Sequence, residues 1–245
     1  MRLRPTALVM TALALAACTP AAVEPLPVGV ADYQLGQAYP PAQDVTVVVR
    51  DSTATPEPGV YSVCYVNAFQ TQPDESVDPD LLLEADPAWP DEFLLDTAQR
   101  GALTDRADGL LARCDDAGFD AVELDNLDSW TRSGGQLDRA DTLAIAAEIA
   151  DAAHGLGLAV GQKNTPELTA DEVAEIGFDF AIAEECHEFD ECAAYADLYG
   201  SQVIDVEYTG SLADICADPD RPTMTILRDR DLTAPGSPEH VSEHC

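Results

Sequence analysis

Residues 121–128 read Ala-Val-Glu-Leu-Asp-Asn-Leu-Asp. In an extended chain successive side chains alternate between faces, so Glu123 and Asp125 share one side of a strand and Val122 and Leu124 the other. The apolar side is expected to pack beneath helices. The acidic side is expected to face the interior of a barrel, with Glu123 deeper and Asp125 at the rim. A plain strand followed by a polar turn would explain the pattern less well, because inward carboxylates are costly unless paired or used.

Short β-rich runs recur on either side of this stretch. They are YQL (33–35), VTVVVRD (45–51), YSVCYVN (61–67), LAVGQKN (158–164), FAIAEE (180–185), VIDVEY (203–208) and TMTILRD (223–229). Helical patterns lie between several of them. Leu103 to Ala117 is one. Ala140 to His154 is another, with Leu143, Ala147 and Ala150 on one face and Gly155 as its stop. Thr169 to Ile176 opens with Thr169 and Glu172 spaced as a capping box. A short helix over 191–199 ends at Gly200. Strands alternating with helices imply parallel pairing, and this number of units implies a single-domain α/β fold, a (β/α)8 TIM barrel. The weakly patterned region 68–100 reads as an extended loop over the barrel mouth, with Trp89 and Phe93 as packing anchors.

Nearly every strand ends in a polar group: Asp51, Asn67, Asp125-Asn126, Lys163-Asn164, Glu184-Glu185, Glu207-Tyr208 and Arg228-Asp229. In a barrel these tips converge on the C-terminal face, where active sites sit. Several carboxylates in one site cannot all ionise alike, and a nearby cation holds one charged while repulsion keeps another protonated, as glycoside hydrolysis requires. Lys163 is the one lysine in 245 residues. It is placed to hold a carboxylate ionised or to bind a sugar hydroxyl. Simple neutralisation of a buried acid is a second reading. A Schiff-base (class I aldolase-like) lyase is a third, disfavoured because surrounding carboxylates raise a lysine pKa. Asp51, Asn67, Glu123, Asn126, Asn164, Glu185, Glu207 and Tyr208 are further candidates to bind or orient substrate. Trp130 reads equally as a sugar-stacking platform and as a packed core residue.

Composition sets the address and the partners. Arg2 and Arg4 precede an apolar run that is too short to span a bilayer, and Leu15-Ala16-Ala17-Cys18 resembles a bacterial lipobox. Residues 1–17 are thus expected to be a lipoprotein signal peptide, with Cys18 the lipidated residue of a chain facing outward from the cell membrane. Residues 18–30 read as a Pro/Ala-rich tether, 31–235 as the barrel and 236–245 as a C-terminal tail. The membrane is met only through the lipid. The formal net charge of −34 repels nucleic acid and attracts cations. Six cysteines beyond Cys18 favour disulfides in an exported chain, with Cys186–Cys192 and Cys216–Cys245 as candidate pairs among 15 possible pairings. A metal site built on Glu185, Cys186, His187 and Cys192 is disfavoured by an oxidising compartment. No nucleotide-binding glycine motif or convincing metal spacing is present, so no cofactor is expected, and the chain is expected to act as a monomer.

The stretches CYVN (64–67), FLLDT (93–97), GFDAVELDNLDSW (118–130), AHGLGLAVGQKN (153–164), FDFAIAEECHEFDECAAY (178–195) and VEY (206–208) resemble glycoside hydrolase family 114. The resemblance implies a (β/α)8 barrel that cleaves α-1,4-linked galactosamine-containing polysaccharide, with Asp125 and Glu184 as its catalytic pair. Lys163 and Asn164 match the family's Lys-Asn pair. Departures fall at Leu124, at Gln162, in the reduced start Asp32-Tyr33-Gln34-Leu35, and in Gln70-Thr71-Gln72-Pro73, where substrate subsites would be built. A non-catalytic carbohydrate-binding surface lipoprotein on the same barrel is the alternative.

Overall fold

A computed structural model describes residues 22–245. The proposed signal segment 1–17 and the lipidation site Cys18 lie outside the described residues. All eight expected strands form and pair in parallel: β1 (Val30–Gln34), β2 (Val45–Asp51), β3 (Tyr61–Asn67), β6 (Ala121–Asp125), β7 (Ala159–Lys163), β8 (Phe180–Glu184), β9 (Val203–Glu207) and β10 (Met224–Arg228). Register along the sheet brings the tips level, with Asn67 opposite Asp125 and Lys163 opposite Ile182. The sheet curls into a nearly closed barrel. Across the seam, Arg228 of β10 meets Asp32 of β1 at 3.4 Å, with both side chains buried. Arg228 therefore closes the barrel rather than facing its mouth.

Alternation sorts the residues into two apolar layers, as period two demands. Tyr33, Val63, Ala121, Phe180, Ile182 and Val206 fill the barrel interior. Val66, Val122, Leu124 and Val160 pack outward against Leu103, Leu111, Ile145 and Ile149 of the helices. Gly161 is needed here, since a Cβ would lie 2.4 Å from the Phe180 ring that plugs the barrel under the mouth.

The helical layer is thinner than eight repeated units would give. The chain from β1 to β2 and from β2 to β3 turns without a helix. The α-helices are α1 (Arg100–Ala117), α2 (Arg139–Leu156), α3 (Ala170–Ile176), α4 (Cys192–Tyr199) and α5 (Leu212–Ala217). The capping box of α3 is present, with Thr169 and Glu172 bonding reciprocally. α2 departs from expectation in two ways. It runs past Gly155 and stops at Gly157, whose φ of 88° is the left-handed C-cap. Its buried face is Thr142, Ile145, Ala146, Ile149, Ala150 and Ala153, while Leu143 and Ala147 are only half-buried. Alanine fits both faces of an alanine-rich helix, so periodicity discriminates weakly there.

Three other segments are more ordered than expected. Within 68–100, β4 (Leu82–Ala85) and β5 (Phe93–Leu95) form an antiparallel pair over the mouth. Leu94 and Leu95 anchor it in the core, whereas Trp89 and Phe93 are 63% and 37% exposed. The second half of the tether, from residue 22, is docked: Leu26 is buried in the barrel core, and Tyr61 donates to the Glu24 carbonyl. The tail adds β11 (Ser242–His244), antiparallel to β10, and ends in a disulfide from Cys245 to Cys216. Cys186–Cys192 closes the loop after β8, and Cys64–Cys114 ties β3 to α1. No described helix is long and apolar enough to cross a membrane.

Candidate active site

Lys163 ends β7 with its side chain buried in the mouth of the barrel. Its Nζ lies 2.8 Å from Glu123 Oε1, 3.4 Å from Glu184 Oε2 and 3.7 Å from Asp125 Oδ1. It also donates to the Tyr33 hydroxyl at 2.9 Å, and Tyr33 donates to Glu123 Oε1 at 2.8 Å. One ammonium thus touches three carboxylates from two strands, β6 and β8. Burial lowers the Lys163 pKa, but the fields of Asp125, Glu123 and Glu184 outweigh it and hold the ammonium well above the ordinary lysine value. A lysine so held has no free lone pair, which removes the basis for a Schiff-base reading.

The carboxylates divide by environment. Burial pushes Glu123 up to about 7 against the pull of Lys163, and its Oε2 has no hydrogen-bond partner. Glu123 lies fully buried beneath the cleft, where it pairs with Lys163 and stands outside the cleft lining. Glu184 is held below the usual carboxylate range: burial opposes this, but Lys163, the Tyr208 hydroxyl and Asn164 more than compensate. Asn164 donates to Glu184 Oε2 at 3.2 Å and accepts from the Glu184 backbone N–H at 2.8 Å. Asp125 accepts from the Tyr65 hydroxyl at 2.6 Å and from Asn126 at 3.3 Å.

Three neighbouring strands end in the same manner. Asn126, Asn164 and Glu185 have φ of 61°, 47° and 59°, left-handed values that cost a non-glycine residue roughly 1–2 kcal/mol. Such strain persists where surrounding bonds over-determine it, and here it turns the chain sharply after each of β6, β7 and β8. Asn126 donates to Asn67 Oδ1 at 2.7 Å, and Arg132 donates to Asn126 Oδ1 at 2.6 Å. Arg132 is itself held by Asp86 at 2.7 Å and Asp128 at 2.6 Å. Opposite, Arg230 pairs with Glu185 at 2.6 Å and lies 4.8 Å from the Tyr208 ring centre.

These groups line a cleft of about 740 Å³ containing Asp125, Asn126, Lys163, Asn164, Glu184, Glu185 and Tyr208. Asn67 stands just behind it, bonded to Asn126. Three other candidates lie elsewhere. Asp51 turns back onto Thr53. Glu207 is fully buried on the outward side of β9 and accepts from the His187 backbone N–H at 2.7 Å. Trp130 packs against the helical layer, with the Arg139 guanidinium 5.5 Å from its ring, so the packed-core reading holds. Conversely, Tyr65, Asp86, Glu92, Arg132 and Arg230 were not singled out from sequence, Trp89 was expected as a packing anchor, and Tyr33 was noted only as part of a departure from the family pattern. Alternation along β1 and β3 is a signal that could have found the two tyrosines; region 68–100 offered none. Among the described residues the one metal-like grouping is Cys186, Cys192 and Asp205. Its sulfurs are joined to each other, which leaves no thiolate to bind an ion. A smaller hollow of about 380 Å³, lined by Pro56, Pro58 and Gly118, holds no such cluster.

A pair of carboxylates facing one cleft is the arrangement that most glycoside hydrolases use. The family model for glycoside hydrolase family GH114 matches residues 12–245. The chain belongs to glycoside hydrolase family GH114. It is a glycoside hydrolase. Among solved structures, Ega3 of Aspergillus fumigatus in complex with galactosamine is similar at 19% identity and a TM-score of 0.76, covering 94% of this chain and 99% of that one. The glycoside hydrolase domain of PelA from Pseudomonas aeruginosa is similar at 15% identity and a TM-score of 0.61, covering 88% and 99%. No curated protein matches the chain. At these identities the structural likeness establishes the barrel, and the GH114 match carries the activity.

Proposed function

We propose that this GH114 chain cleaves α-1,4-linked galactosamine-containing polysaccharide within the chain, using Asp125 and Glu184. The observation that carries the reading is Lys163 bridging those two carboxylates from the floor of one cleft. Glu184 enters the reaction ionised, and the pair divides proton transfer from attack on, or activation of water at, the anomeric carbon. The galactosamine bound in Ega3 supports the substrate class. So does the acidic surface, because partly deacetylated galactosamine polymer is cationic and is drawn to a chain of net charge −34. The lipobox-like Cys18 and the three disulfides support an exported, lipid-anchored enzyme.

Incubation with partially deacetylated α-1,4-galactosamine polymer, with new reducing ends followed by mass spectrometry, tests the reading. Wild type is expected to release oligomers, and Asp125→Asn and Glu184→Gln to lose on the order of 10²–10⁴ in rate. Asp125→Asn at the wild-type rate would refute the pair. No release by wild type would refute the substrate.

A further inference from the structure

The turn joining β4 to β5 hangs over one wall of the cleft and carries Trp89 and Glu92, both facing the same space as Asp125. Trp89 is 63% exposed. Single exposed apolar side chains are ordinary, so exposure alone means little. The turn that holds Trp89, however, is clamped. Its backbone closes through Asp86 N–H to the Glu92 carbonyl at 2.9 Å, Trp89 N–H to the Asp86 carbonyl at 3.1 Å, and Glu92 N–H to the Trp89 carbonyl at 2.9 Å. The Asp86 side chain, 1% exposed, accepts from Ala88 N–H at 2.8 Å and from Arg132 Nε at 2.7 Å. Arg132 in turn holds Asn126, the residue after Asp125. An indole exposed on a turn wired to the catalytic strand is pre-organised for a ligand.

Glu92 is oriented by the same wiring. Gln70 Nε2 donates to its Oε2 at 2.7 Å and Asn67 Nδ2 at 3.4 Å. Arg132 donates to the Gln70 side-chain Oε1 at 3.4 Å, which fixes the amide with its nitrogen toward Glu92. Among the described residues both donors reach Oε2 and none reaches Oε1. Burial, followed by the charges of Asp125 and Asp86, pushes the Glu92 carboxyl up. No cationic side chain bonds to Glu92, whereas Asp86 has Arg132 and Glu185 has Arg230. An anion placed in this way gains from an incoming cation.

We propose that Trp89 and Glu92 form a sugar subsite beside the catalytic pair that reads a de-N-acetylated amino sugar: the indole stacks on the apolar C–H face of the ring while Glu92 accepts its ammonium. This rests on the galactosamine reading and adds which units of a partly acetylated chain are preferred. An axial hydroxyl at C4 leaves the C3, C4 and C5 hydrogens on one face, which an aromatic ring covers. An acetamide in place of the ammonium would leave Glu92 with a neutral partner and lose the charge-assisted bond.

The test uses the full chain with defined α-1,4-galactosamine oligomers, fully deacetylated or fully N-acetylated, from two to eight units. Steady-state cleavage is measured for wild type, Trp89→Ala, Trp89→Phe and Glu92→Gln. Calorimetric binding is measured with the same changes on an Asp125→Asn background. Trp89→Ala is expected to raise KM for the long deacetylated oligomers about tenfold with a smaller change in kcat, and Trp89→Phe to recover part of the loss. Glu92→Gln is expected to cut the kcat/KM preference for deacetylated over acetylated oligomers by about tenfold. Wild-type cleavage with unchanged length dependence in Trp89→Ala and unchanged preference in Glu92→Gln overturns the subsite and leaves the galactosamine reading standing. Binding that depends on Trp89 and Glu92 without any cleavage supports the subsite and overturns the hydrolytic reading. Neither binding nor cleavage overturns both.

Discussion

Two strands of the barrel carry mirror-image acidic motifs with opposite outcomes. β6 has Glu123-Leu124-Asp125, and β9 has Asp205-Val206-Glu207. In β6 the carboxylates face inward to a cation, and Leu124 packs outward under the helices. In β9 Val206 faces inward, and the carboxylates point outward, with Asp205 beside the Cys186–Cys192 disulfide. Among the described residues no lysine or arginine pairs with either. Both oxygens of Asp205 and one of Glu207 have no hydrogen-bond partner. Burial and the neighbouring Glu207 charge push Asp205 up to about 8. Spacing and residue type are the same in both strands; the difference is which parity faces Lys163. A cation turns one acid pair into a site, and its absence leaves the other as a buried pair that holds a proton.

Removing the cation should make the inner pair resemble the outer one. Lys163→Met is expected to cost on the order of 10²–10³ in turnover, as the loss of a preorganised charge does, and ~3–5 kcal/mol of stability, as a broken buried ion pair does. The contribution of Glu184 to the pH dependence of stability should also invert. In wild type the depressed Glu184 pKa contributes stability that is present above its unfolded value and lost as pH falls. Without Lys163 burial dominates, Glu184 rises, and stability is lost as pH climbs instead. Urea titrations of both proteins from pH 3 to pH 8 read this as a stability deficit of the variant that grows as pH climbs, and a deficit that does not grow with pH would break the comparison.

A smaller effect is expected from Glu123→Gln, which keeps the shape and removes a group that titrates near 7. As pH rises through that value in wild type, a new negative charge forms 2.8 Å from Lys163 and competes with Asp125 and Glu184 for it. The variant should lose the inflection near pH 7 in its kcat profile, with a change in rate of about tenfold. An unaltered profile would mean that Glu123 does not titrate with the site.

The smallest effect concerns the outer pair. The folded pKa of Asp205 exceeds its unfolded value, so the native state binds the extra proton, and stability falls as pH rises from about 4 to about 8. Asp205→Asn should flatten that slope, with its advantage in Tm greatest above pH 8 and turnover changed less than about threefold. Melting curves from pH 5 to pH 9 check it. A parallel slope in both proteins would place the titration elsewhere.

The barrel was legible because it rests on local rules: alternating strands, a capped α3, and polar tips after apolar runs. The proposed pair Asp125 and Glu184, and Lys163 between them, could be picked out because inward carboxylates and a solitary lysine demand explanation, and because their stretches resemble a family. Trp89, Glu92 and Asp86 were not, because the hairpin that presents them lies in region 68–100 and is held by long-range bonds to Arg132, Gln70 and Asn67. Trp130 drew attention by lying next to the Asp125 motif, yet it packs into the helical layer.

By itself the sequence determined that strands alternate with helices, which residues share a strand face, and that one lysine stands among several strand-end carboxylates. These follow from backbone periodicity and composition, which need only neighbouring residues. The tertiary structure alone decided which of the two acidic faces points inward, that Arg228 and Asp32 close the seam, that Cys64 pairs with Cys114 beside the two pairs expected, and that a distant hairpin supplies a wall of the cleft. Each of these depends on closing the sheet on itself, because only then does one parity of every strand converge on a single ammonium.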